Sequence, residues 1–171
     1  MSQVTGEEFR DLIGRFATGI TVVTTVAEGV PYGTTASAVT SVSLAPPMLL
    51  ICMNRQSVTG QAISRSGHFA VNVLAEEQGY LADLFARPGS SFTGLSITPG
   101  CRNAPLLPGA LATFECEVTE KVQAGTHSVM IGTVDRAAGR AGMPLAYFRG
   151  QQGRLSLPVS AAGQRACGDA A

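Results

Sequence analysis

The stretch "GTTASAVTSVSLAPPMLLICMNRQSVTG", Gly33 to Gly60, decides how this chain is read. Its opening run carries hydroxyls on Thr34, Thr35, Ser37, Thr40, Ser41 and Ser43 and holds no charge. A flexible linker is the plainest use of small polar residues, but Val39, Val42 and the apolar runs on either side argue against one. The alternative is a strand kept low and polar so that something flat or anionic can lie on it. Strand geometry sends successive side chains to opposite sides, so Thr35, Ser37, Ser41 and Ser43 are expected on one face. An ordinary Thr/Ser-rich strand with one exposed face would show the same residues. "LAPP" follows, whose prolines block a helix and interrupt a ladder. "MLLICM" then reads as a short apolar strand, expected at the centre of a sheet.

"NRQSVTGQ" closes the stretch and gathers Asn54, Arg55, Gln56, Ser57 and Thr59 at an expected helix start, with Ser57 as its cap. Unpaired N–H groups at such a start favour an anion, although a plainly capped helix accounts for the same residues. Only one short strand separates the two polar segments, so both can face one ligand. A phosphate joined to a flat heterocycle would suit the pair.

Outward from there, "TGEEFRDLIGRFATG" predicts a helix with a Thr5–Glu8 capping box, an apolar face of Phe9, Leu12, Ile13 and Phe16, and Gly19 as its close. "ITVVTTV" predicts a strand and "EGVPYG" its turn. "HFAVNVL" predicts another strand, and "AEEQGYLADLFA" a helix with Leu81, Leu84 and Phe85 at helical spacing and acids near its start. Residues 87–109 form a long Pro/Gly/Ser-rich loop, a length usually tied to function or mobility. In "TFECEVTEKV", Phe114, Cys116 and Val118 alternate with Glu115, Glu117 and Thr119, so the first three are expected inside and the others wet. "GTHSVMIGTV" and "MPLAYFRG" add two strands. Periodicity fades after about Leu157, and a disordered tail is expected over 157–171. Many strands with few short helices indicate a mainly β barrel or sandwich rather than a doubly wound sheet.

The chain has 171 residues, enough for one domain with a substantial core, and its Lys plus Arg count equals its Asp plus Glu count at 12 each. With no basic field, nucleic-acid binding is not expected. The apolar composition, 45% hydrophobic against 14% charged, favours association with a second copy. Cys52, Cys101, Cys116 and Cys167 include no C-x-x-C pair, and with only His68 and His127 to help they read as structural thiols rather than a metal site. No signal peptide and no apolar run of membrane-spanning length is seen, so a cytoplasmic protein without membrane association is expected.

No nucleotide-binding Gly motif, no G-x-S-x-G and no carboxylate pair can be picked out. An enzyme built from these residues would borrow its reactivity from a cofactor. His127, at the turn after Ala124-Gly125, can donate to a bound carbonyl or phosphate or move a proton, although a lone loop histidine is more often simply solvated.

In order and spacing, "FATGITVVTT", "GTTASAVTSVSLAPPMLLICMNRQSVTGQAI", "GHFAVNVLAEEQ", "GTHSVMIGTV" and "PLAYFRG" resemble the short-chain flavin reductase family, the reductase components of two-component flavin monooxygenases. The resemblance implies a split β-barrel over residues 1–156 that binds FMN or FAD, takes hydride from NADH or NADPH, and works as a homodimer with the site near the subunit interface. It implies that Thr35, Ala36 and Ser37 lie against the flavin ring. Ser41, Val42, Ser43, Cys52, Asn54, Arg55, Ser57 and Thr59 would hold the rest of the flavin, bordered by Phe92. His127 would place the nicotinamide, with Tyr147 and Arg149 in a segment closing the same pocket. Many relatives carry Gly-Asp-His where this chain has Gly125-Thr126-His127. The implied function is an NAD(P)H:flavin oxidoreductase serving a separate monooxygenase. A non-catalytic flavin carrier on the same scaffold, or a flavin oxidase akin to the pyridoxamine phosphate oxidases, are the alternatives.

Overall fold

A computed structural model describes residues 3–157, so most of the segment expected to be a disordered tail lies outside the described residues. The chain runs α1 (Gly6–Ile13), β1 (Thr18–Gly19), β2 (Thr21–Ala27), β3 (Val30–Ala36), β4 (Val39–Leu44), β5 (Pro47–Asn54), α2 (Val58–Ser66) and β6 (His68–Val73). A 3-10 turn (Glu76–Gln78) then leads into α3 (Gly79–Phe85), β7 (Thr98–Pro99), β8 (Pro105–Leu106), β9 (Ala112–Ala124), β10 (His127–Gly139), β11 (Leu145–Phe148) and β12 (Gln151–Arg154).

The main sheet has seven strands in the order β3-β2-β6-β9-β10-β5-β4, paired antiparallel throughout. Its two edges, β3 and β4, are consecutive in the chain and separated only by Ser37 and Ala38. Three Cα–Cα steps span at most about 11 Å, whereas seven strands laid flat would spread over roughly 29 Å. The sheet therefore curls until its edges converge, and the Cys52 N–H donates to the Ala38 carbonyl at 3.0 Å at that meeting point. This is the split-barrel form expected from the resemblance.

The hydroxyl-rich run is thus not one strand, which corrects the expectation of a single shared face. It breaks at Ser37–Ala38, with Thr34 to Ala36 on one edge and Val39 to Ser43 on the other. A register shift between Ser41 and Ser43 leaves Val42 as an extra residue and disturbs the alternation again. "MLLICM" lies in β5, one strand in from an edge rather than at the centre. Leu49, Ile51 and Met53 are buried while Met48, Leu50 and Cys52 are half-buried, although all six are apolar.

The core has two parts. Inside the curl, Val23, Ile51, Val71, Phe69, Cys116 and Met130 meet from five strands, and Ile63 of α2 plugs them. On the outer face of β2 and β6, Val22 and Leu74 pack under Leu81 and Phe85 of α3 and under Phe92 and Leu107 of the long loop. That loop is tied down by buried Asn72, whose Nδ2 donates to the Val22 carbonyl at 3.1 Å and whose Oδ1 accepts the Leu107 N–H at 2.8 Å.

Other expectations are corrected. α1 forms with its Thr5–Glu8 capping box but ends at Gly14, and Gly19 belongs to β1. The turn after β2 is only Glu28–Gly29, and "VPYG" is already strand. Glu115 is buried rather than wet, because its carboxylate accepts the Cys101 backbone N–H from the loop. Among the described residues the apolar face of α1 finds no cover, and Phe9, Leu12, Ile13 and Phe16 are all exposed.

Candidate flavin site

The start of α2 forms one wall of a groove of about 590 Å³, and the end of β3 and the Arg87–Phe92 segment form the others. The volume falls within the roughly 300–1,000 Å³ of small-molecule sites. Ser57 caps α2, accepting the Gly60 N–H at 3.2 Å, which leaves its own hydroxyl proton free to donate. No acid stands in the first turn of α2, so the helix N-terminus keeps its positive end. Arg87, Ser90 and Ser91 face it across the groove. Hydroxyls, unpaired helix N–H groups and one guanidinium are donors that suit a phosphate.

Several predicted hydroxyls are committed elsewhere. Thr59 donates to the Gly33 carbonyl at 3.1 Å and is buried, so it ties α2 to β3 instead of pointing at a ligand. Thr35 donates to the Ala82 carbonyl at 2.7 Å, joining β3 to α3. What these residues offer a ligand is backbone and a low profile. Phe92 is buried against Phe85, ring centroids 4.9 Å apart, and forms the groove's inner wall. Gly33 sits beneath both rings: a Cβ there would lie 2.8 Å from Phe85 and 2.9 Å from Phe92.

Ser37, past the end of β3, faces a second cavity of about 1040 Å³, shared with α1, Thr18, Tyr147 and Arg149. The Thr18 hydroxyl on its wall is buried with no hydrogen-bond partner among the described residues. Ser41 and Ser43 line an adjoining apolar cavity of about 680 Å³ that also includes Ser37. The predicted set is therefore strung along one path, from the Ser57 groove past Ala36 and Ser37 into these cavities, and is not gathered in a single pocket. Val42 is exposed, and Cys52 is half-buried in β5 opposite Val129.

His127 opens β10 directly across from Asn54. Its Nδ1 shares a hydrogen bond with the Thr126 hydroxyl at 2.9 Å, which fixes the ring and leaves Nε2 to meet a ligand. The Thr126 carbonyl accepts the Arg55 N–H at 3.0 Å. The histidine turn and the Asn54–Ser57 loop are thus bonded together. Arg149, at a positive φ of 49°, donates its N–H to the Gly14 carbonyl at 2.8 Å and so links the β11–β12 turn to the end of α1. The sequence pattern does not single out Arg87, Ser90 and Ser91; the length and polarity of their loop are the signal it carries there.

Residues 13–156 match the family described as Flavin reductase like domain. The chain belongs to this family. Among the similar flavin reductase relatives is the reductase component of the 4-nitrophenol 4-monooxygenase/4-nitrocatechol 2-monooxygenase of Rhodococcus opacus, 42% identical over 86% of this chain and 80% of the relative. The FMN reductase (NADH) SmoA of Agrobacterium fabrum is 40% identical over 86% of this chain and 85% of its own. The NADH:FAD oxidoreductase of Streptomyces globisporus, solved in complex with NAD and FAD fragments, superposes with a TM-score of 0.86 at 32% identity, covering 94% of this chain and 100% of that one.

Proposed function

We propose that this flavin reductase family member oxidises NADH or NADPH, reduces FMN or FAD and releases the reduced flavin to a separate flavin-dependent monooxygenase. The observation that carries this reading is the bonding of the His127 turn to the Asn54–Ser57 loop. A side chain suited to a nicotinamide amide stands beside a loop that ends in a phosphate-holding helix start. Relatives named as NADH-dependent flavin reductases and as monooxygenase reductase components support it.

In this reading the Ser57 hydroxyl, the α2 N-terminus and Arg87 hold the flavin phosphate. The Thr35–Ser37 backbone and Cys52 lie along the ring, Phe92 borders it, and Ser41, Val42 and Ser43 flank the path beyond. A bound flavin supplies the redox chemistry by accepting a hydride from the nicotinamide. The protein's contribution is orientation: His127 holds the carboxamide end of the nucleotide, and Tyr147 and Arg149 close the cavity against water. No side chain is required as an acid or base.

A homodimer belongs to the same reading. Phe16 is 71% exposed and Leu44 89%; together with Ile13 they border the two cavities next to Ser37, and Phe9 and Leu12 extend the exposed apolar face of α1. Covering each such side chain is worth roughly 1.5–3 kcal/mol. A second copy seated there would complete the flavin site. Steady-state oxidation of NADH and NADPH with added FMN or FAD tests the function, and no acceleration over protein-free mixtures would end it.

A further inference from the structure

A small cleft of about 180 Å³, separate from the Ser57 groove, opens between α2 and the β9–β10 hairpin. Arg55 and Lys121 both line it, together with the polar side chains of Ser64 and Gln123, and no carboxylate does. The Lys121 Nζ donates to the Ser64 hydroxyl at 2.8 Å, which holds the ammonium at the rim. Lys121 pairs with Met130, another lining residue, while Glu120 one step earlier projects to the other side of the sheet. Among the described residues neither Arg55 nor Lys121 forms an ion pair. In a chain whose formal charges balance, two unpaired cations on one polar cleft form a local anion site. The cleft is too small for a whole nucleotide but suits a phosphate group. It also reaches Asn54 and Ser128, the residues on either side of His127 in space and in sequence.

We propose that the Arg55–Lys121 cleft binds a second phosphate of a dinucleotide, apart from the one held at Ser57, and thereby selects between substrates with and without that group. The proposal rests on the reductase reading. Two sources supply the chemistry, the adenylate arm of FAD and the 2′-phosphate of NADPH. Charge-assisted contacts to a phosphate are the strong kind of hydrogen bond, so losing one is expected to cost about tenfold in affinity.

The test compares wild type, Lys121→Gln and Lys121→Arg in kcat/KM for FAD against FMN and for NADPH against NADH, and in calorimetric titration with inorganic pyrophosphate. The glutamine variant is expected to lower one of the two ratios about tenfold and to weaken pyrophosphate binding, and the arginine variant to restore both. A fall in the FAD:FMN ratio assigns the cleft to the flavin's adenylate arm, and a fall in the NADPH:NADH ratio to the nicotinamide nucleotide. Ratios within twofold of wild type, or a uniform loss with all four substrates, would overturn the proposal. If the wild type reduces no flavin, the reductase reading fails by itself. The pyrophosphate titration needs no turnover and still decides: equal binding by wild type and Lys121→Gln would refute the cleft.

Discussion

His127 stands opposite Asn54 across the β5–β10 ladder, and the Thr126 carbonyl one residue earlier accepts the Arg55 N–H at 3.0 Å. The ladder and this hydrogen bond therefore tie the side chain assigned to the nicotinamide to the loop assigned to the flavin. Replacing His127 by Ala is expected to lower kcat/KM for the nicotinamide nucleotide by about tenfold or more through lost placement. Flavin affinity, read by fluorescence quenching, should stay within about twofold because no flavin contact is removed. An equal loss of flavin binding would show that His127 belongs to the flavin site instead.

Thr126→Val keeps the shape of the turn but removes the hydroxyl that meets His127 Nδ1 at 2.9 Å. The expected result is a rise of about three- to fivefold in KM for the nucleotide, matching one net hydrogen bond. Thr126→Ser should restore it. A change in kcat alone would argue against a positioning role.

Gly33 has no room for a side chain, since its Cβ would lie 2.8 Å from Phe85 and 2.9 Å from Phe92. Gly33→Ala must push Phe92, the groove's inner wall, at an overpacking cost of about 1–3 kcal/mol. Weaker flavin binding together with a lower melting temperature is the expected outcome. Unchanged flavin affinity would place the flavin elsewhere.

How much of this was legible in the sequence depends on how local each signal was. The Thr5–Glu8 box, the Ser57 cap and the His127 turn are formed by residues within a few positions of one another, and they stand where the pattern put them. The break at Ser37–Ala38 was not legible, because small residues fit a continuous strand and a crossing between sheet edges equally well. Glu115 followed the alternation in type but not in burial, since its partner, the Cys101 N–H, comes from a distant loop. Thr35 and Thr59 lost their hydroxyls to Ala82 and Gly33 for the same reason. Arg55 and Ser57 are two residues apart, yet they face different cavities.

Asn72 is fully buried and bonds both β2 and the Leu107 N–H. Asn72→Leu removes both bonds, leaves the Leu107 N–H without its partner and is expected to cost about 2–3 kcal/mol. For a domain of this size that is a fall of roughly 5–10 °C in melting temperature. A shift under about 2 °C would mean that the long loop is not anchored through this residue.

Burial pushes the Cys116 thiol up to about 12, with Asp135 and Glu115 adding to the effect. Below the ordinary thiol range both folded and unfolded chains keep the proton, so Cys116 leaves stability independent of pH there. Above that range the unfolded chain gains by ionising while the native thiol does not, and stability falls until the pH reaches about 12. Urea midpoints from neutral to strongly alkaline pH should decline more steeply for wild type than for Cys116→Ala. Parallel declines would contradict this.

The most direct test is anaerobic mixing of the protein with NADH or NADPH and oxidised FMN or FAD, following the flavin's visible absorbance. The expected result is loss of that absorbance at a rate proportional to protein concentration, with at least one flavin–nucleotide pair. A rate that does not depend on the protein with any of the four pairs would contradict the assignment as a flavin reductase.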